Sequence, residues 1–172
     1  MQGILNQVWK YLIPALENDS EQDQEALDAK LSELHMPYPE GSDSQTMITE
    51  KVTYKFGDNP EGLQSITYDP VSNTWSLTVH GQSFDLHPGY QKWIPGVTWQ
   101  NEAPRSLDPE MYDKYAASYA WKDGACDIYL HFYETPTCQQ LHIVPNAEHA
   151  ELTITTKFNF NGGVSHIYGI RQ

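Results

Sequence analysis

The stretch from Tyr115 to Val144 constrains the fold most. Between Asp127 and Glu134, Ile128, Leu130 and Phe132 alternate with Asp127, Tyr129, His131 and Tyr133. A period of two puts successive side chains on opposite faces, so this is a strand with one face toward a core. Glu134-Thr135-Pro136-Thr137 reads as a turn, because proline presets φ and cannot donate to a ladder. The chain then returns through Cys138 to Val144, and the whole stretch reads as two or three antiparallel strands in a row.

The same alternation recurs along the chain. Val52, Tyr54 and Phe56 mark a strand over 51–56, followed by a turn at Asp58-Asn59-Pro60-Glu61-Gly62. A strand over 63–68 turns at Asp69-Pro70-Val71-Ser72-Asn73 into 74–80, where Trp75, Leu77 and Val79 share a face. Gly81 leads into 82–86, and His87-Pro88-Gly89 breaks the run. Lys92-Trp93-Ile94-Pro95-Gly96 reads as a strand end followed by a turn, and Val97–Trp99 as a resumed strand. Beyond a proline-marked crossing over 102–110, Ser106 is a candidate cap for a helical turn through Met111 and Tyr112. In the last long strand, 151–160, Leu152, Ile154, Phe158 and Phe160 share a face with Thr156. Asn161-Gly162-Gly163 is a hairpin signal, and 164–170 closes the sheet. The total is about eight to ten strands at the spacing of a sandwich or barrel. No helical pattern separates neighbouring strands, so an antiparallel sheet is expected, a lipocalin-like barrel or a strongly curved sheet.

The N-terminal region differs. Ile4, Val8, Tyr11 and Leu12 recur at helical spacing until Pro14, and 21–34 reads as a second helix with Leu27, Leu31 and Leu34 on one face. Pro37, Pro39 and Gly41 punctuate a linker over 35–44. The expected division is a helical connecting segment over 1–44 and a β domain over 45–172.

Composition narrows the partners. The formal net charge of −13 disfavours nucleic acid and anionic membranes. No stretch approaches the roughly 20 apolar residues of a spanning helix, and no signal peptide is visible, so the expectation is a soluble, cytoplasmic chain. Cys126 and Cys138 sit at different levels of the expected hairpin, so no disulfide is expected.

Several motifs resemble the C-terminal region of β-lactamase-related, penicillin-binding-protein-like serine hydrolases. Phe132-Tyr133-Glu134-Thr135-Pro136 with Cys138 is similar to that family's F-Y-E-T-P-x-C segment, and Ala120-Trp121 with Asp123 to the strand before it. Trp93, Pro95 and Gly96 resemble its W-x-x-G, and Tyr54-Lys55-Phe56 with Asn59 and Gly62 its first strand and turn. Residues 8–16 look like the helix leaving the catalytic domain, and Leu31-Ser32-Glu33-Leu34 with Pro37 and Pro39 like the linker. The resemblance implies an accessory domain whose catalytic partner lies N-terminal to it.

The chemistry of that family is missing here. No serine has lysine three residues on, no tyrosine is followed two positions later by Asn or Ser, and no Gly-x-Ser-x-Gly elbow occurs. The expectation is therefore a piece of a longer protein, with no catalytic residue and no cofactor of its own. The candidate ligand-binding residues are Tyr129, His131, Tyr133 and His142. They would line a pocket if their face were the barrel interior; otherwise they form an outer face, since Ile128, Leu130 and Phe132 make the better core.

A metal reading joins His131 and His142, taken as one pair apart on the same face, with Asp127 or Glu134 as carboxylate. No His-x-His or Cys-x-x-Cys clamp supports it, and the expected metal set is empty. Cys138 reads as an ordinary buried thiol, since no nearby cation lowers its pKa. Asp127 and Glu134 are about 23 Å apart at strand rise, too far for joint acid–base work. The apolar stripe of the first helix offers a route to a homodimer. The alternative to an accessory domain is a stand-alone, lipocalin-like small-ligand binder.

Overall fold

The computed structural model describes residues 6–12, 14, 21–34, 36–45, 48–98, 113–134, 137–146, 148–157 and 163–172. The chain divides into two compact units, Met1–Pro37 and Tyr38–Gln172. The expected helical turn at Ser106–Tyr112, the Asn161-Gly162 half of the last turn, and the strand positions of Phe158 and Phe160 lie outside the described residues.

The first unit holds a π-helical turn, Val8–Leu12, and helix α1, Glu21–Glu33. Leu27, Leu31 and Leu34 are exposed, as are Trp9, Tyr11 and Leu12. None of the described helices is long and apolar enough to cross a membrane.

Among the described residues the second unit forms one sheet of eleven strands: β1 (Val52–Phe56), β2 (Leu63–Asp69), β3 (Thr74–Val79), β4 (Gln82–Leu86), β5 (Gly89–Tyr90), β6 (Ile94–Thr98), β7 (Asp113–Lys122), β8 (Ala125–Phe132), β9 (Thr137–Pro145), β10 (His149–Lys157) and β11 (Val164–Arg171). The order is β4-β3-β2-β1-β11-β10-β9-β8-β7-β5, with β6 also on β7. The sheet curls into an open half-barrel of mixed strand orientation. Among the described residues every strand pairing is antiparallel except β5 with β7, which corrects the all-antiparallel expectation. β6 runs unbroken through Pro95-Gly96, where the sequence predicts a turn, because proline is tolerated on an edge strand. A two-residue strand has too short a pattern to read, and its direction follows from where the loop over 87–93 lays it down.

Two hairpins are closed by two-residue turns with both φ angles positive, His80-Gly81 and Asp123-Gly124. Such turns match the right-handed twist of the flanking strands. The expected linker residues 38–44 belong to the β unit: Ser42 exchanges two backbone hydrogen bonds of 2.8 Å with Trp121. The outer edge of β7 is thus covered in three pieces, by β6 along 113–117, β5 along 118–119 and Ser42 at Trp121. Covering an edge removes a row of unpaired backbone groups that would otherwise invite association.

The concave face is the core. Trp75, Tyr68 and Trp121 come together there, with ring centroids 4.2 Å apart for Tyr68–Trp75, 5.7 Å for Tyr68–Trp121 and 6.0 Å for Trp75–Trp121. Ile66, Leu77, Leu86, Ile128, Leu130, Leu141, Ile143 and Leu152 fill the space around them. Cys126 joins this face while Cys138 pairs with His131 on the other, and the two cysteines form no disulfide. Tyrosine hydroxyls on the inner face reach carbonyls at its rim. Tyr115 Oη donates to Asp85 O at 3.2 Å, bridging β7 to β4, and Tyr54 Oη donates to Asn146 O at 3.1 Å.

Candidate functional site

Alternation along β8 sorts its residues. Cys126, Ile128, Leu130 and Phe132 face the core, and Asp127, Tyr129 and His131 face out. The four candidate residues therefore belong to the outer side of the sheet or its margin: Tyr129 and His131 on β8, His142 on β9, and Tyr133 just beyond β8, 59% exposed. Ladder register gives three rows on that face: Ala116–His131–Cys138, Ser118–Tyr129–Gln140, and Ala120–Asp127–His142–Thr153–His166.

Ala116, Ser118 and Ala120 make β7 flat on this side, which lets other chain segments lie on it. Ser118 is fully buried and its Oγ donates to Gly89 O at 2.9 Å. Residue 41 lies against β7 so closely that a Cβ there would stand 2.3 Å from Trp121 O; with φ at 148°, only glycine fits. Tyr90 Oη fixes that approach by donating to Gly41 O at 3.1 Å. Beyond it, Tyr38 stacks on Trp93 with centroids 5.7 Å apart, and Trp93 meets the His131 ring edge-on at 4.8 Å. Such aromatic pairs contribute about 0.5–1.5 kcal/mol beyond area burial. His131 is thus part of an aromatic packing group, a partnership that its position in β8 does not announce.

His142 lies in a different group. Its Nδ1 is 2.7 Å from Asp127 Oδ1, directly across the β8–β9 ladder. The next hydroxyl in that row, Thr153, is engaged by His166 Nδ1 at 3.1 Å. A histidine held by a carboxylate is oriented to take a proton at its other nitrogen, from a hydroxyl or a water.

His131 and His142 share a face, as expected, but they stand two rows apart and not one. Four residues of strand rise and one inter-strand step separate them by roughly 14 Å at Cα, too far to share an ion. Among the described residues no group of three His, Cys, Asp or Glu could hold a metal ion. Glu134, the other carboxylate of that reading, pairs with Lys114 at 2.9 Å.

Burial dominates the shifts of the phenols and the thiol around β8. Burial raises the Tyr129 pKa, with Asp127 and Glu40 adding to it, so the phenol stays a donor. Burial and then Asp127 push the Cys126 thiol well up, which makes it a poor nucleophile. Burial pushes Tyr119 up strongly, and its hydrogen bond to Asp43 adds to this.

A second feature, which no sequence motif marked, lies at one end of the half-barrel. A cavity of about 390 Å³ is lined by Ile48, Thr49, Glu50, Val52, Tyr54, Pro145, Asn146 and Arg171.

Compared with known proteins, the chain matches no family model, no curated protein and no solved structure.

Proposed function

We propose that this chain is the non-catalytic C-terminal accessory domain of a β-lactamase-related serine hydrolase. Its roles are packing against an N-terminal catalytic domain, shaping that domain's cleft, and oligomerisation. The supporting observation is where the residues of the resemblance are spent. Trp121 and Phe132 are buried on the concave face, and Trp93 is engaged by Tyr38 and His131 on the outer side. All three serve packing. The exposed Tyr133 and the neighbouring Lys114–Glu134 pair form the margin of a surface suited to a protein contact.

In outline such a module is lipocalin-like, strands rolled about one core. A lipocalin-like binder would hold its ligand inside the sheet, where Trp75, Tyr68 and Trp121 stand against one another. The coding sequence ahead of Met1 tests the proposal. An in-frame domain with Ser-x-x-Lys and Tyr-x-Asn or Tyr-x-Ser supports it. A chain that starts at Met1, with no such hydrolase associating with it in cells, refutes it.

A further inference from the structure

The outer face of the sheet falls into three zones. Over β7 and β8 it is covered: Gly41 lies against Ala120, and Trp93 meets His131. Over β1 to β4 it is polar, and its hydroxyls bond one another, Thr53 to Thr67 at 2.8 Å and Thr78 to Ser83 at 2.9 Å. The third zone, centred on β11, is neither covered nor polar. Tyr168 and Ile170 stand on it 66% and 68% exposed, with Val164 further along the same strand face and Val144 in the Tyr168 row. Ile167, at the intervening position, is buried on the concave side. A strand apolar on both faces is the pattern of one covered on both.

Two charges flank this stripe on opposite sides. Lys55 of β1 faces Ile170, and Glu151 of β10 faces Tyr168. Both are exposed, and no ion pair among the described residues holds either one. Opposite charges on opposite sides of an apolar stripe suit a two-fold axis, because an isologous interface requires each patch to complement itself. An axis lying along the face and passing between Tyr168 and Ile170 exchanges the two charged positions. Lys55 of one copy then falls over Glu151 of the other, and the pair forms twice.

The zone is just large enough for this. Four strands about 4.8 Å apart and the eight residues of β11 at about 3.4 Å each span roughly 19 by 27 Å, or about 1,000 Å² for two copies. That is the lower limit of a specific interface, so the association is weak and reversible. The net charge of −13 on each copy adds repulsion, which salt at about 0.15 M screens beyond about 8 Å.

We propose that a second copy of this chain packs on the β11 face, sheet to sheet about a two-fold axis. Tyr168 and Ile170 are buried at its centre, and two Lys55–Glu151 pairs lie at its rim. This gives the oligomerisation role a surface without requiring a hydrolase parent, so it holds or fails separately from the test on the sequence ahead of Met1.

The test is analytical ultracentrifugation of the full chain over about 5–500 μM at about 0.15 M salt. The expected result is a monomer–dimer equilibrium within that range, abolished by the double change Tyr168→Ser and Ile170→Ser. Lys55→Glu and Glu151→Lys should each weaken the dimer about fivefold or more, and the two together should restore it to within about twofold. The first change makes the chain more negative and the second less, so general repulsion alone would move them in opposite directions. All four positions are exposed, and thermal melts should show each variant folded. A monomer at every concentration, a dimer that survives the double serine change, or charge reversals that fail to rescue each other would overturn the assignment.

Discussion

Replacing Trp75 by alanine probes the packing of the half-barrel most sharply. Trp75 is 1% exposed, stacks on Tyr68 at 4.2 Å, meets Trp121 at 6.0 Å and faces Leu86 across the β3–β4 ladder. An aromatic side chain of this kind buries about 150–250 Å², which at ~25 cal/mol per Å² corresponds to about 4–6 kcal/mol of transfer free energy. Part of the ring's space closes up on truncation, and observed losses for such changes are about 3–5 kcal/mol. We therefore expect Trp75→Ala to cost about 4 kcal/mol. The β unit spans 38–172, and an unfolding entropy of about 2.1 cal/mol/K per residue converts that loss to a fall of about 14 °C in Tm. Trp75→Phe keeps a ring against Tyr68 and should lose only about 1–2 kcal/mol. Urea denaturation followed by circular dichroism checks both, with a lowered midpoint and an unchanged m-value. A loss below about 1 kcal/mol for the alanine variant would mean the concave face is not a packed core, and the reasoning would fail.

Two further perturbations follow from the seam between β7 and β4. A Cβ at residue 96 would lie 2.3 Å from the Tyr115 ring, so Gly96→Ala should displace that ring, break its bond to Asp85 and cost about 1–3 kcal/mol in a thermal melt. Burial, then Asp85, raises the Tyr115 pKa from 10 to about 12. The unfolded chain therefore loses the phenolic proton first. The contribution is fully present below pH 10 and is lost as the pH rises from 10 toward 12, at up to about 1.4 kcal/mol per pH unit. Tyr115→Phe should flatten that alkaline slope in urea midpoints measured at pH 9, 10.5 and 11.5; an unchanged slope would remove Tyr115 from the account.

Much of the sheet is legible because it is half-buried. Trp75, Leu77 and Val79, or Ile128, Leu130 and Phe132, alternate with polar residues because one face meets the core. β7 breaks that rule: Tyr115, Ala117, Tyr119 and Trp121 face the core, but Ser118 is buried beside Gly89 and Ala120 beside Gly41. A strand covered on both faces shows no period of two. The register of β8 on β9 was also beyond the pattern. Starting the turn at Glu134 pairs Tyr133 with Cys138, whereas the ladder pairs Phe132 with Thr137 and His131 with Cys138. That is a shift of two residues, which leaves every side chain on its face and so leaves the hydrophobic pattern unchanged. It nonetheless moves His142 from the Tyr129 row to the Asp127 row, which separates the two histidines. Asp123-Gly124, by contrast, is a strong local signal for the β7–β8 turn and marks where the long stretch divides. The end cavity was not legible, because Glu50, Tyr54, Asn146 and Arg171 come together only through pairing of β1 with β11 and the position of the β9–β10 turn.

The central claim is that this polypeptide is a packing module whose hydrolytic chemistry belongs to another domain. Turnover of nitrocefin and p-nitrophenyl acetate by the purified chain tests it most directly. The account predicts rates equal to buffer. Turnover above buffer that a single substitution abolishes would contradict it, and would identify a nucleophile within these 172 residues.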